Sequence, residues 1–375
     1  MAGWRTPLAA WVVSRALVMA ALVAGSLLLG EPDSGTADGV PRALALAGGW
    51  DTVWYLDIAR DGYARDPAGI GAVPTDAAFF PGVPLIAAGA AWAGLNPFLS
   101  VLAVSNLAFL GALAGLHALV RARAGDAAAR YAVWALALLP TAMVASLAYG
   151  EGIVLALAVL AALAASRGRW ATAALVAGAA PILRAPAMLV PLLVSLTALR
   201  APGRRRPLRA VLVALPGVAV LAAWLAWMWA ARGSPLLPFR AQEAWGGRPV
   251  IGWVTAAPEW VPDVVDLVSL RMTADAAVAL RDIGFGALYA ALLVRLWRRE
   301  GGIAAPPVAY SLACLALPLT TFGPTALSRY GLLAFPLAWS LGDWVREHPR
   351  TRIPLIAAAA PVTVALVALL AMRSP

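Results

Sequence analysis

Apolar and polar positions fall in long blocks along this chain: mostly apolar stretches of about 15 to 24 residues alternate with short clusters rich in arginine, glycine and proline. A helix needs about 20 apolar residues to cross a bilayer, fewer where neighbouring helices shelter it. Candidate spans fall near residues 8–30, 97–120, 130–148, 150–166, 169–183, 186–200, 208–231, 282–298, 304–322, 329–345 and 353–372. This predicts an all-α integral membrane fold, a single polytopic domain over 1–375 with about eleven transmembrane helices. Two long segments lie between spans, 31–96 and 232–281. Within the first, 81–95 is apolar but short and rich in Pro and Gly, which predicts an interfacial or re-entrant helix.

The arginines set the expected orientation. With the amino terminus inside, Arg121, Arg123 and Arg130, then Arg167 and Arg169, Arg200 to Arg209, Arg295 to Arg299, and Arg346 to Arg352 all fall in cytoplasmic loops. The carboxyl terminus and both long segments are then external. The start of the chain reads as an uncleaved anchor, with Arg15 snorkelling to the inner boundary.

Composition agrees with a bilayer as main solvent: 62% of residues are hydrophobic, 13% charged, and mean hydropathy is +0.80. All 29 basic residues are arginine, which reads as coding bias. The net charge of +10 sits in loop clusters, so no nucleic-acid partner is expected. The single cysteine, Cys314, excludes an intramolecular disulfide and a cysteine-based metal site.

Candidate chemistry concentrates in GGWDTVWYLDIARDGY, residues 48–63, followed by AFFPGVP at 78–84. A helix opening after Gly49 puts Trp50, Trp54 and Asp57 on one side and Asp51, Tyr55 and Ile58 on a neighbouring one. Asp51 and Asp57 then point about 120° apart at 100° per residue, unlike a glycosidase's facing carboxylates. One base suffices for direct glycosyl displacement, because a phosphate leaves without acid help. Asp51 is the candidate base, and the plainer reading is a carboxylate capping an interfacial helix. Asp57, Asp61, Asp66 and Asp76 read as solvated loop acids whose density leaves a divalent cation possible.

Elsewhere, Glu151 in LAYGEG, Arg184 in PILRAP, Arg240 and Glu243 in LPFRAQEAW, and Arg329 in TALSRY stand at predicted external helix ends. Ionised groups at such depth are paired or functional. The planar guanidinium fork suits a phosphate, which makes Arg184 and Arg329 candidates for a lipid-linked phosphate, and Glu151 a candidate partner for either. Trp50, Tyr55, Asp57, Tyr63, Glu151, Arg240 and Trp245 are candidate substrate contacts. The WLAWMW run at 224–229 reads as an interfacial belt.

WDTVWYLDIARDGY, AFFPGVPLI, LPTAMVASLAYGEG at 139–152, Arg184 and SRYGLLAFP at 328–336 together resemble the membrane mannosyltransferases similar to the phosphatidylinositol-glycan class V enzyme, in the GT-C superfamily. The blocks occur in family order over most of the chain, and Gly150 departs from the Ser or Thr often found before the glutamate. The resemblance implies a GT-C bundle whose first external loop bears the catalytic aspartate, here Asp51. It implies an inverting transfer of mannose from a polyprenyl-phosphate donor to a glycolipid or glycan acceptor. A transferase of another sugar remains open, as does a lipid transporter, although no inverted repeat is visible.

Overall fold

The computed structural model describes residues 4–63, 73–245, 262, 265–267, 269, 271, 273–321 and 326–373. Among these no strand forms, and an isolated bridge joins Thr36 and Gly49 antiparallel. The helices are α1 (Arg5–Leu29), α2 (Asp51–Asp61), α3 (Gly82–Trp92), α4 (Pro97–Leu138), α5 (Glu151–Ser166), α6 (Trp170–Gly178) and α7 (Leu189–Arg200). They continue with α8 (Arg206–Arg232), α9 (Leu237–Arg240), α10 (Ala274–Glu300), α11 (Pro306–Thr321), α12 (Leu327–Leu333), α13 (Pro336–Glu347) and α14 (Arg352–Leu369).

Their ends follow local chemistry. Asn96 caps α4 by accepting from the Leu99 amide at 2.9 Å, with Pro97 in the first turn. Thr273 caps α10 in the same way, and left-handed Gly301 ends it. Gly125, at φ 83°, breaks α4 in the middle and separates two predicted spans.

Each predicted span contains helix, but the lengths differ from expectation. Among the described residues five helices are long and apolar enough to cross a membrane, and a sixth arises if the 3₁₀ turn Pro140–Ser146 and α5, bent by 104°, count together. The others are short because they are packed between neighbours: α6 lies between α5 and α8, and α12 against α10 and α11. Large apolar side chains such as Leu28, Leu175, Leu208, Trp229 and Ile353 remain exposed on helix flanks. Water would make such a surface costly, and a bilayer does not, so the chain is a membrane protein.

Charged groups gather at the two ends of the bundle. At one, Arg123 bonds Glu300 at 2.7 Å, Arg299 bonds Asp343 at 3.1 Å, and Arg295 and Arg299 both reach Glu347. These are the loops expected on the cytoplasmic side. The other end carries the 31–50 segment, tied to the end of α14 through the Asp33 amide and the Ala371 carbonyl at 2.9 Å.

Two expectations change. Arg15 does not snorkel: it is buried over the Phe109 ring and donates to the Ala142 carbonyl and Ser146 Oγ, both at 2.9 Å. The 3₁₀ turn supplies acceptors there that a continuous helix would have used internally. Trp224, expected in an interfacial belt, is buried and stacks on Trp227 with centroids 5.2 Å apart, against Tyr63 and Phe80 of the first long segment.

Candidate active site

The site is built on a turn that only small residues permit. A Cβ on Gly48 would lie 2.6 Å from Val40, and one on Gly49 2.2 Å from Pro32. Trp50 then takes a positive φ of 55°, a strained conformation for a bulky residue. Its amide donates to Ser34 Oγ at 2.7 Å and its indole Nε1–H to the Leu370 carbonyl at 2.9 Å, which hold it there. Asp51 follows as the first residue of α2, at the positive end of the helix dipole. Below it, Thr52, Tyr55 and Ile58 are buried, and burial pushes the Tyr55 phenol up to about 12, so it stays a neutral donor.

A second carboxylate arrives in the same way. The chain bends between Ser146 and α5, and Glu151 is the first residue of that helix. Before it, Gly150 packs closely: a Cβ there would stand 3.2 Å from a Val83 methyl, so a Ser or Thr at this position would require Val83 to shift slightly. The Gly82 amide donates to the Ile182 carbonyl at 2.9 Å, which ties AFFPG to the segment presenting Arg184.

Arg329, on α12, joins the two acids. Its Nη2 bonds Asp51 Oδ2 at 2.5 Å, its Nε bonds Glu151, and its guanidinium lies over the Tyr149 ring at 4.7 Å. Arg184 also pairs with Glu151 and faces the Tyr330 ring at 5.8 Å. The side chains are sealed to different degrees: Glu151 is 0% exposed, Arg329 10%, Arg184 14% and Asp51 21%. Asp51 is therefore the most accessible of the four. Among the described residues Nε of Arg184 is buried with no hydrogen-bond partner, so that arginine still has a donor to offer.

Arg329 is itself held by residues that the sequence reading passed over. Asp282 on α10 accepts from the Ser328 amide at 3.4 Å, and Tyr289 donates to the Ser328 carbonyl at 3.3 Å while bonding Thr141 at 2.8 Å. An acid opening an apolar run was the available signal for Asp282.

The remaining candidates lie elsewhere. Trp50 flanks the quartet through its backbone, and Tyr55 packs edge-on against Tyr149 at 6.5 Å. Asp57 and Asp61 are solvated and bond Arg60. Tyr63 donates to the Phe79 carbonyl at 2.8 Å, at the far end of α2. Arg240 and Glu243 are exposed on the second long segment. The Trp245 side chain and Asp66 lie outside the described residues. Asp76, expected in solvent, is mostly buried 3.6 Å from Arg232, because its 3₁₀ turn packs against the second long segment. Among the described residues no three His, Cys, Asp or Glu side chains come together as a metal site; Asp51 and Glu151 share Arg329.

Compared with family models and with curated proteins, the sequence gives no match. Solved structures of the Archaeoglobus fulgidus oligosaccharyltransferase are similar over 98% of this chain and 56% of theirs, at 12% identity and a TM-score of 0.47 for the apo form. The complex of this AglB protein with an inhibitory peptide and a dolichol-phosphate gives the same values. A form tethered by a disulfide to an acceptor peptide with the NVT sequon gives 12% identity, 55% coverage of its chain and a TM-score of 0.44. The chain thus spans little more than half the length of these structures.

Proposed function

We propose that the chain is a GT-C type glycosyltransferase that moves mannose from a polyprenyl-phosphate donor to a lipid-linked or cell-envelope glycan acceptor, with inversion at the anomeric carbon. The observation carrying this reading is the convergence of Asp51, Glu151, Arg184 and Arg329, contributed by separate blocks of the mannosyltransferase-like sequence. The donor phosphate sits against Arg184, whose Nε lacks a partner among the described residues. Arg329 orients Asp51, which is therefore held rather than left to rotate. The acceptor hydroxyl attacks the anomeric carbon opposite the phosphate. Its proton passes to Asp51 as the carbon–oxygen bond to phosphate breaks and polyprenyl phosphate leaves.

In this reading the arginine-rich end faces the cytoplasm and the quartet the exterior, with 31–96 as the catalytic loop and 232–281 as a second external loop. Helices crossing or re-entering the membrane number about eleven. The test is transfer of labelled mannose from synthetic polyprenyl-phosphate mannose in vesicles carrying wild type or Asp51→Asn. Mannolipid formed by wild type alone is expected. Equal product from the variant would remove Asp51 from the mechanism, and no product from wild type would remove mannose as the donor sugar.

A further inference from the structure

A further buried cation lies toward the other end of α2, and the quartet does not use it. Arg232 is the last residue of α8, and its side chain is only 2% exposed. Among the described residues Nε, Nη1 and Nη2 are all buried without a hydrogen-bond partner, and the contact with Asp76, at 3.6 Å, is too long to be a hydrogen bond. Asp76 offsets charge there and leaves the donors unmet. An unmet guanidinium in apolar surroundings is costly enough that it is normally matched by something.

The space beside it has a definite shape. Arg232 lines a pocket of about 510 Å³ between the second half of α2, α3 and the end of α8. The walls are apolar, with Ile58, Leu85, Pro84 and Trp227 among them, and Leu85 and Trp227 reach the outer surface. At 27 residues and about 1.5 Å per residue, α8 exceeds the roughly 30 Å hydrocarbon thickness, which sets its terminal Arg232 at headgroup depth. One buried set of cationic donors with apolar walls open at that depth matches an amphiphile with an anionic head.

We infer that this pocket binds the phosphodiester headgroup of a membrane phospholipid, with the phosphate on Arg232 and an acyl chain along Leu85 and Trp227. Along α2, Ile58 of the pocket wall lies about 10 Å from Asp51, and none of Asp51, Glu151, Arg184 and Arg329 lines the pocket, so its phosphate position on Arg232 differs from the one proposed for the donor. The inference stands without the transferase assignment.

The experiment uses the full chain in nanodiscs with a phosphatidylglycerol that carries a diazirine on one acyl chain, and maps crosslinks by mass spectrometry. Diacylglycerol with the same chains controls for plain acyl contact, and inorganic phosphate is the free-anion competitor. Crosslinks are expected on α3 and the end of α8 with phosphatidylglycerol. They should fall at least about tenfold in Arg232→Gln, the scale of one lost charge-assisted bond, and in Leu85→Trp, which fills the pocket and spares the arginine. Arg184→Gln should leave them unchanged. Equal crosslinking by diacylglycerol, or retention in both pocket variants, overturns the inference. Displacement by millimolar phosphate overturns the lipid assignment in favour of a free anion.

Discussion

Removal of Glu151 should be costly in a way that a simple cavity is not. The side chain is fully buried and touches two guanidiniums, Arg184 and Arg329, so Glu151→Ala leaves both with less counter-charge inside the bundle. Removing one partner of a buried ion pair typically costs about 3–5 kcal/mol, and two shared partners place this change at the upper end. Glu151→Gln keeps the shape and one acceptor oxygen and should cost less, about 1–3 kcal/mol. Tryptophan fluorescence during unfolding of purified protein in mixed micelles gives both values. A double-mutant cycle with Arg184→Gln isolates the pair, with an expected coupling of about 1–3 kcal/mol. A cost below about 1 kcal/mol for Glu151→Ala, or additivity within about 0.5 kcal/mol, would refute the buried quartet.

Two further outcomes follow from packing and charge. A Cβ on Gly331 would fall 2.1 Å from the Tyr289 ring, so Gly331→Ala must shift α12 and Arg329 with it; a loss of about 1–3 kcal/mol and reduced transfer are expected, whereas Gly111→Ala, which meets open space, leaves both intact. At the arginine-rich end, Arg295 and Arg299 hold the Glu347 carboxyl below its usual 4.5. A pKa depressed in the folded state contributes stability above the unfolded value and loses it as pH falls through the folded value. Acid titration of unfolding should therefore converge wild type and Glu347→Gln below pH 4.5, from a difference under about 1 kcal/mol at neutral pH because the group is partly exposed.

Much of this was legible along the chain because membrane helices announce themselves by composition and Asp51 stands in an unusual block. The expected spans 8–30 and 208–231 agree with α1 and α8 to within three residues at each end. The pairing of Glu151 with an arginine was readable as well, since an acid that deep needs a partner. What was hidden depends on contacts between distant residues. Arg329 and Asp51 are 278 positions apart, and nothing local distinguishes an arginine that bridges two acids from one that meets a lipid. Arg15 was misread because the acceptors that draw it inward belong to a 3₁₀ turn 127 residues later. Asp76 was misread because an acid in a Pro- and Ala-rich loop carries no sign that a buried arginine faces it. The short length of α6 and α12 reflects shelter by neighbours, a tertiary property that an apolar run does not encode.

The charges of the quartet bear on why two arginines and two acids suit the proposed reaction. At rest Asp51 and Glu151 balance Arg184 and Arg329, so the site is neutral and can stay sealed in a poorly polarisable interior. A sugar phosphodiester adds one negative charge, and its departure as a phosphomonoester gives a product that tends toward two. In the proposed step Asp51 takes a proton at the same moment and loses its own charge. Arg329 then has one acid to balance in place of two, and its field is released toward the leaving phosphate beside Arg184. Total charge in the pocket is unchanged, so the transfer moves charge over a short distance without importing an ion. An arginine tied only to a structural acid cannot do this, and an arginine facing solvent gains little from it. In the proposed step, a base placed on the bridging arginine would link proton removal to phosphate departure, which would give Arg329 a chemical reason to hold both carboxylates.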